Sequence, residues 1–151
     1  MKKSVLKKLS NLALSLVVVF CAAAMLPSKA SAAYGDPPSG SVDIANSTFR
    51  YQVYFSNSGK TAATATSSFG KMSGLTANCT ITYEYYRNSI LFPSKVTTSQ
   101  TAFNSNASTS VSATAQRDSS HTQQYSAFYA DGEHSVSYNG TSSHQTTRVY
   151  A

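Results

Sequence analysis

Apolar and polar residues alternate with a period of two along several short stretches of the chain, and no persuasive helical period interrupts them. In "FRYQVYFS", Phe49, Tyr51, Val53 and Phe55 share one face, while Arg50, Gln52 and Ser56 share the other. "AATATSSF" places Ala63, Ala65 and Phe69 opposite Ala62, Thr64, Thr66 and Ser68. "NCTITYEYY" sets Cys79, Ile81, Tyr83 and Tyr85 against Thr80, Thr82, Glu84 and Tyr86. Alternation of this kind marks half-buried strands, because successive side chains of an extended chain point to opposite faces. "VTTSQTAF" and "ASTSVSATAQ" repeat the pattern more weakly, with Val, Ala and Phe as the apolar members.

Turn chemistry divides these stretches. "NSGK" and "KMSG" each supply residues that tolerate turn conformations. Asp131-Gly132 and Asn139-Gly140 are the dipeptides favoured in two-residue type I′ hairpins, where both central residues need positive φ. Two such turns predict a meander of strands 122–130, 133–138 and 141–149. In that register Tyr138 faces Thr141, Ser135 faces His144 and His134 faces Gln145, while His134 lies across from Tyr129. The expected fold is all-β, a small antiparallel β-sandwich, immunoglobulin-like in general shape.

The N-terminus follows different rules. "MKKSVLKKLS" is positively charged, "LALSLVVVFCAAAM" is apolar but short of the roughly 20 residues that span a bilayer, and "ASA" at 30–32 has the small-x-small form of a cleavage site. Residues 1–32 therefore read as a cleaved secretory signal, and the protein as secreted and extracellular. Residues 33–45, rich in Pro, Gly and Ser, read as a flexible leader, and 46–151 as one domain. Five of the lysines lie within the signal (Lys2, Lys3, Lys7, Lys8, Lys29). The +6 net charge of the whole chain thus falls to +1 beyond residue 32, seven basic residues against six acidic. A basic footprint for nucleic acid is absent from that remainder. All ten tyrosines fall there, and they offset the scarcity of Leu, Ile and Val as core material.

Candidate chemistry is sparse. Cys79, the one cysteine beyond the signal, shares a face with Ile81 and Tyr83 and reads as a buried thiol. His121, His134 and His144 do not converge, because His134 and His144 point to opposite faces of their sheet, so no metal site is expected. The acids form no spaced pair of the glycosidase kind, and no nucleophile, phosphate-loop or zinc-protease motif occurs. The reading is a non-catalytic protein without a cofactor. Binding is better served. Tyr54, Glu84 and Tyr86 lie on polar strand faces, where a tyrosine can stack on a sugar or anchor a protein. Ile90, Leu91 and Phe92 form an apolar run before Pro93 that can enter a partner pocket. These residues point to an extracellular or cell-envelope ligand, glycan or protein. The alternative is a secreted toxin or bacteriocin-like protein acting on membranes, since "VTTSQTAFNSNASTSVSATAQ" has the Ser/Thr-rich alternation of pore-forming hairpins.

Overall fold

A computed structural model describes residues 36–87, 94–121 and 126–151. The described residues form six strands: β1 (Ser39–Ile44), β2 (Ser47–Phe55), β3 (Ala62–Arg87), β4 (Ser94–Gln116), β5 (Ser126–Tyr138) and β6 (Thr141–Tyr150). All pairings are antiparallel and join the strands into one sheet, ordered β1-β2-β3-β5-β6, with β4 on the other side of β3. This sheet is curled nearly closed as a barrel. Among the described residues no helix is long and apolar enough to cross a membrane.

The central strand explains the curl. β3 pairs with β4 along nearly its whole length. Its other edge is shared, with β2 on the first half (Phe49↔Phe69 to Phe55↔Ala63) and β5 on the second (Gly74↔Ser137 to Glu84↔Ser126). Between the pairs Ser68↔Ser110 and Ser73↔Ser108 the ladder slips: β3 advances five residues while β4 advances two. Extra residues on one strand bend it and increase the local twist. The bend is tight enough for the Asn104 Nδ2 to donate to the Ser112 carbonyl at 2.9 Å. Eight residues of straight strand would cover about 26 Å. The two halves of β3 therefore turn their inner faces toward each other. Tyr51 of β2 meets His134 of β5 with ring centroids 5.7 Å apart, and Phe69 meets Tyr138 at 5.5 Å.

Between the halves lies the core. Phe49, Val53, Phe69, Leu75, Ile81, Tyr83 and Val136 supply its bulk, and Ala63, Ala65, Ala77 and Ala130 allow close approach. The expected alternation holds along β2 and along the second half of β3, where Cys79, Ile81 and Tyr83 are fully buried. Asn139-Gly140 forms the expected type I′ turn, with φ of 48° and 77°. The β5–β6 register is Tyr138↔Thr141, Ser135↔His144 and His134↔Gln145, as the turn alone requires.

Four local expectations are corrected. "KMSG" is no turn: β3 runs through it with only the ladder slip, because β4 supplies pairing on both sides. "VTTSQTAF" and "ASTSVSATAQ" are parts of one strand, β4. Its inward parity switches from even positions before the bend to Val111, Ala113 and Ala115 after it, because a slip of three is odd. Asp131-Gly132 lies inside β5, hydrogen-bonded to β3 and β6 on either side, so Tyr129 is on the same strand as His134 and faces Thr82 and Tyr150. Part of the expected leader is ordered as β1, whose two-residue turn into β2 has Ala45 and Asn46 at φ 47° and 59°. That second I′-like turn carries no glycine, which hides it in the sequence.

Cys79 is buried as expected. Its thiol donates to the Ala63 carbonyl at 3.2 Å, and burial pushes its pKa up to about 11. With so little thiolate at neutral pH, native protein is expected to react with a small thiol reagent at least about a hundredfold more slowly than urea-unfolded protein. Fast labelling of the native state would contradict this burial.

Candidate functional site

A polar site lies on the outer face of the first half of the sheet. Alternation along β2 sends Arg50, Gln52 and Tyr54 outward in one row, spaced about 7 Å apart by the two-residue strand repeat. Each has hydroxyl neighbours across the ladder: Ser41 and Ser68 beside Arg50, Ser39 and Thr66 beside Gln52, and Thr64 beside Tyr54. β4 extends the rows with Ser110, Ser112 and Thr114. Ser39, Ser41, Arg50, Gln52, Thr66 and Ser68, with Gly40 and Tyr51, line a shallow open trough of about 440 Å³. Thr64 Oγ1 is held by Thr114 Oγ1 at 2.9 Å and Ser56 Oγ at 2.5 Å, which orients that end of the row.

Gly40 is required by the packing beneath the trough. A Cβ there would lie 2.5 Å from the Tyr51 hydroxyl, which passes beneath β1 to reach Gln145 Oε1 at 3.3 Å. Charge is left available at the centre. Lys95 pairs with Glu84 and Arg148 with Asp131, and among the described residues Arg50 belongs to no such pair. An exposed guanidinium offers five donors in a planar fork suited to carboxylate or phosphate. With hydroxyls, an amide and a 43 % exposed tyrosine alongside, the surface can hold a polyhydroxylated ligand that carries an anionic group.

The expected contact residues do not form one patch. Tyr54 continues the outward row of Arg50 and Gln52 just past the lining of the trough, at the Thr64 position of β3. Glu84 and Tyr86 lie twenty and more residues further along β3, beyond the bend. Glu84 is occupied by its ion pair with Lys95, and Tyr86 is 38 % exposed beside it. Ile90, Leu91 and Phe92 lie outside the described residues. Arg50 and Gln52 were legible as polar-face residues of β2. Their hydroxyl neighbours come from strands distant in sequence, and no local motif signals them.

A second polar cluster looks catalytic and is built against it. His134 is fully buried, with Nδ1 3.0 Å from Ser67 Oγ and Nε2 2.9 Å from Thr147 Oγ1. The Ser67 hydroxyl donates to the Thr76 carbonyl at 2.6 Å. It therefore accepts from Nδ1–H, and Nε2 accepts from Thr147. Burial, with a smaller contribution from the charge of His144, lowers the imidazole pKa to about 4. The ring is neutral, doubly bonded and closed to solvent, and it locks β3, β5 and β6 together. His121 is elsewhere, stacked on Tyr85 at 3.8 Å and bonded through Nδ1 to the Tyr83 hydroxyl at 3.0 Å. Among the described residues no three metal-binding side chains converge. No family model and no curated protein sequence matches this chain.

Proposed function

We propose that the protein is a secreted, non-catalytic binding module that holds an acidic glycan of the cell envelope or extracellular space in the trough along β2. The module works as a sandwich-like body in which β1, β2 and the first half of β3 face β5, β6 and the second half. One observation carries the reading: among the described residues Arg50 has no ion pair, and it stands within a hydroxyl-lined trough, in a row with Gln52 and Tyr54. The spacing of that row suits successive sugar units, with the guanidinium meeting a carboxylate or phosphate substituent.

The test is retention of the protein, purified from cells expressing the full sequence, in gels containing acidic or neutral cell-wall polysaccharide. Acidic polymer is expected to retard it. Arg50→Ala should weaken binding at least about tenfold, equivalent to 1.4 kcal/mol, and Tyr54→Ala by a comparable factor. Glu84→Gln should leave binding unchanged. Retention by no polysaccharide, or equal retention of wild type and Arg50→Ala, overturns the reading. The membrane-acting alternative draws on the length and Ser/Thr content of β3 and β4, which exceed the roughly 9–11 residues of a bilayer-spanning strand. Dye release from liposomes separates the two, since a glycan-binding module leaves vesicles intact.

A further inference from the structure

Strand β4 leaves one long edge open. Among the described residues it pairs with β3 alone and comes close to no other strand. Folded proteins guard such edges with charge, proline, bulges or covering segments, because unpaired N–H and C=O groups invite another strand. The opposite side of the sheet is guarded in this way. The segment Asp36–Pro38 lies along β6, with Arg148 N–H donating to the Pro37 carbonyl at 3.3 Å and Thr146 Oγ1 to Asp36 Oδ2 at 2.8 Å. On β4 charge and proline are missing beyond Lys95: from Val96 to Gln116 there is no charged residue, no proline and no glycine. Phe103 stands 65 % exposed on this strand.

We infer that β4 is the interface for a second copy of this chain, paired antiparallel about a two-fold axis at Ser99. The arm from Ser94 to Asn104 precedes the bend that Asn104 closes onto Ser112. Read in both directions from Ser99, this arm is self-complementary. Val96 opposes Ala102 of the other copy, Thr97 opposes Thr101 and Thr98 opposes Gln100, so like meets like on each face. Lys95, whose ammonium also holds Glu84, opposes Phe103 and brings a cation beside the exposed ring, a favourable cation–aromatic contact. No like charges meet. A two-fold interface uses the same patch on both subunits, as such an arm requires. β2 and its trough lie outside the pairing, so the dimer presents two troughs.

Sedimentation equilibrium on the protein purified from cells expressing the full sequence gives the first reading. The expected mass is twice the monomer. Ser99 is exposed, and Ser99→Lys places two ammonium groups face to face across the axis. Like charges directly opposite destabilise a strand pair, so this variant is expected to dimerise at least tenfold more weakly. An equimolar mixture of Ser99→Lys and Ser99→Glu should regain the dimer. Should Ser99→Lys fail to fold, Ser99→Cys decides: mild oxidation is expected to cross-link it across the axis, while Ser112→Cys beyond the bend stays monomeric on reducing-agent-free gels. A wild-type monomer at hundreds of micromolar, undiminished dimerisation of Ser99→Lys, absent cross-linking of Ser99→Cys, or open-ended polymers each overturn the two-fold β4 pairing.

Discussion

A single methyl group at position 132 is expected to cost the fold about 3–5 kcal/mol, combining overpacking with disrupted buried hydrogen bonds. A Cβ on Gly132 would stand 2.5 Å from Thr147 Oγ1 and 2.6 Å from His134 Nε2. Both side chains are fully buried and bonded to each other, so neither can swing away without leaving a polar atom unpaired. Urea unfolding of Gly132→Ala measures the loss as a lowered midpoint. Domains of this size hold only about 5–15 kcal/mol in total, so the variant lies close to the folding limit. Gly70→Ala is the matched control. Its Cβ would meet Ser47 Oγ at 2.6 Å, but Gly70 is exposed and that hydroxyl can rotate. A cost under about 1 kcal/mol is expected there. Equal costs at the two positions would contradict the role of the His134 network.

Acid is expected to weaken the protein through the same histidine. Its pKa is about 4 in the folded state against 6.5 when unfolded. Between those values the unfolded chain binds the proton and the folded chain does not, so stability falls as pH drops from 6.5 to 4. Above this window the contribution is constant, and below it both states are protonated and the loss is complete. The full loss is roughly 3 kcal/mol, at 1.36 kcal/mol per pKa unit. It is measured as the difference in slope of unfolding free energy against pH between wild type and His134→Gln. Gln keeps polar atoms near Ser67 and Thr147 but cannot take the proton. Parallel slopes for the two proteins would show that His134 does not titrate in this window.

The strands of β2 and the second half of β3 were legible because half-burial writes a period of two directly into the chain. Cys79 could be assigned to the core by parity, and the Asn139-Gly140 turn set the β5–β6 register, because positive φ at two successive residues is a local demand. Asp131-Gly132 carries the same local signal and lies within a strand. Its glycine meets a demand for space beside Thr147 and His134, made by residues from two strands, which no dipeptide reveals. "KMSG" likewise offered a turn, but continuous pairing with β4 carries β3 through it. The turn between β1 and β2 was missed for the opposite reason, since Ala45 takes a positive φ that its residue type disfavours.

The candidate site divides along the same line. Tyr54, with Arg50 and Gln52, could be placed on a polar face from β2 alone. Which hydroxyls surround them was decided by the pairing of β2 with β1 and β3. The distance between Tyr54 and Glu84 followed from the unbroken length of β3 and its bend, and Glu84 met its partner Lys95 only across the β3–β4 ladder. Sequence by itself determined which side of β2 and of the second half of β3 turns inward and where the chain must take positive φ at Asn139-Gly140, because both depend on residues adjacent in the chain. Tertiary structure alone decided where strands continue, where the sheet bends and which polar groups meet, because those outcomes depend on backbone hydrogen bonds and close contacts between residues far apart in sequence.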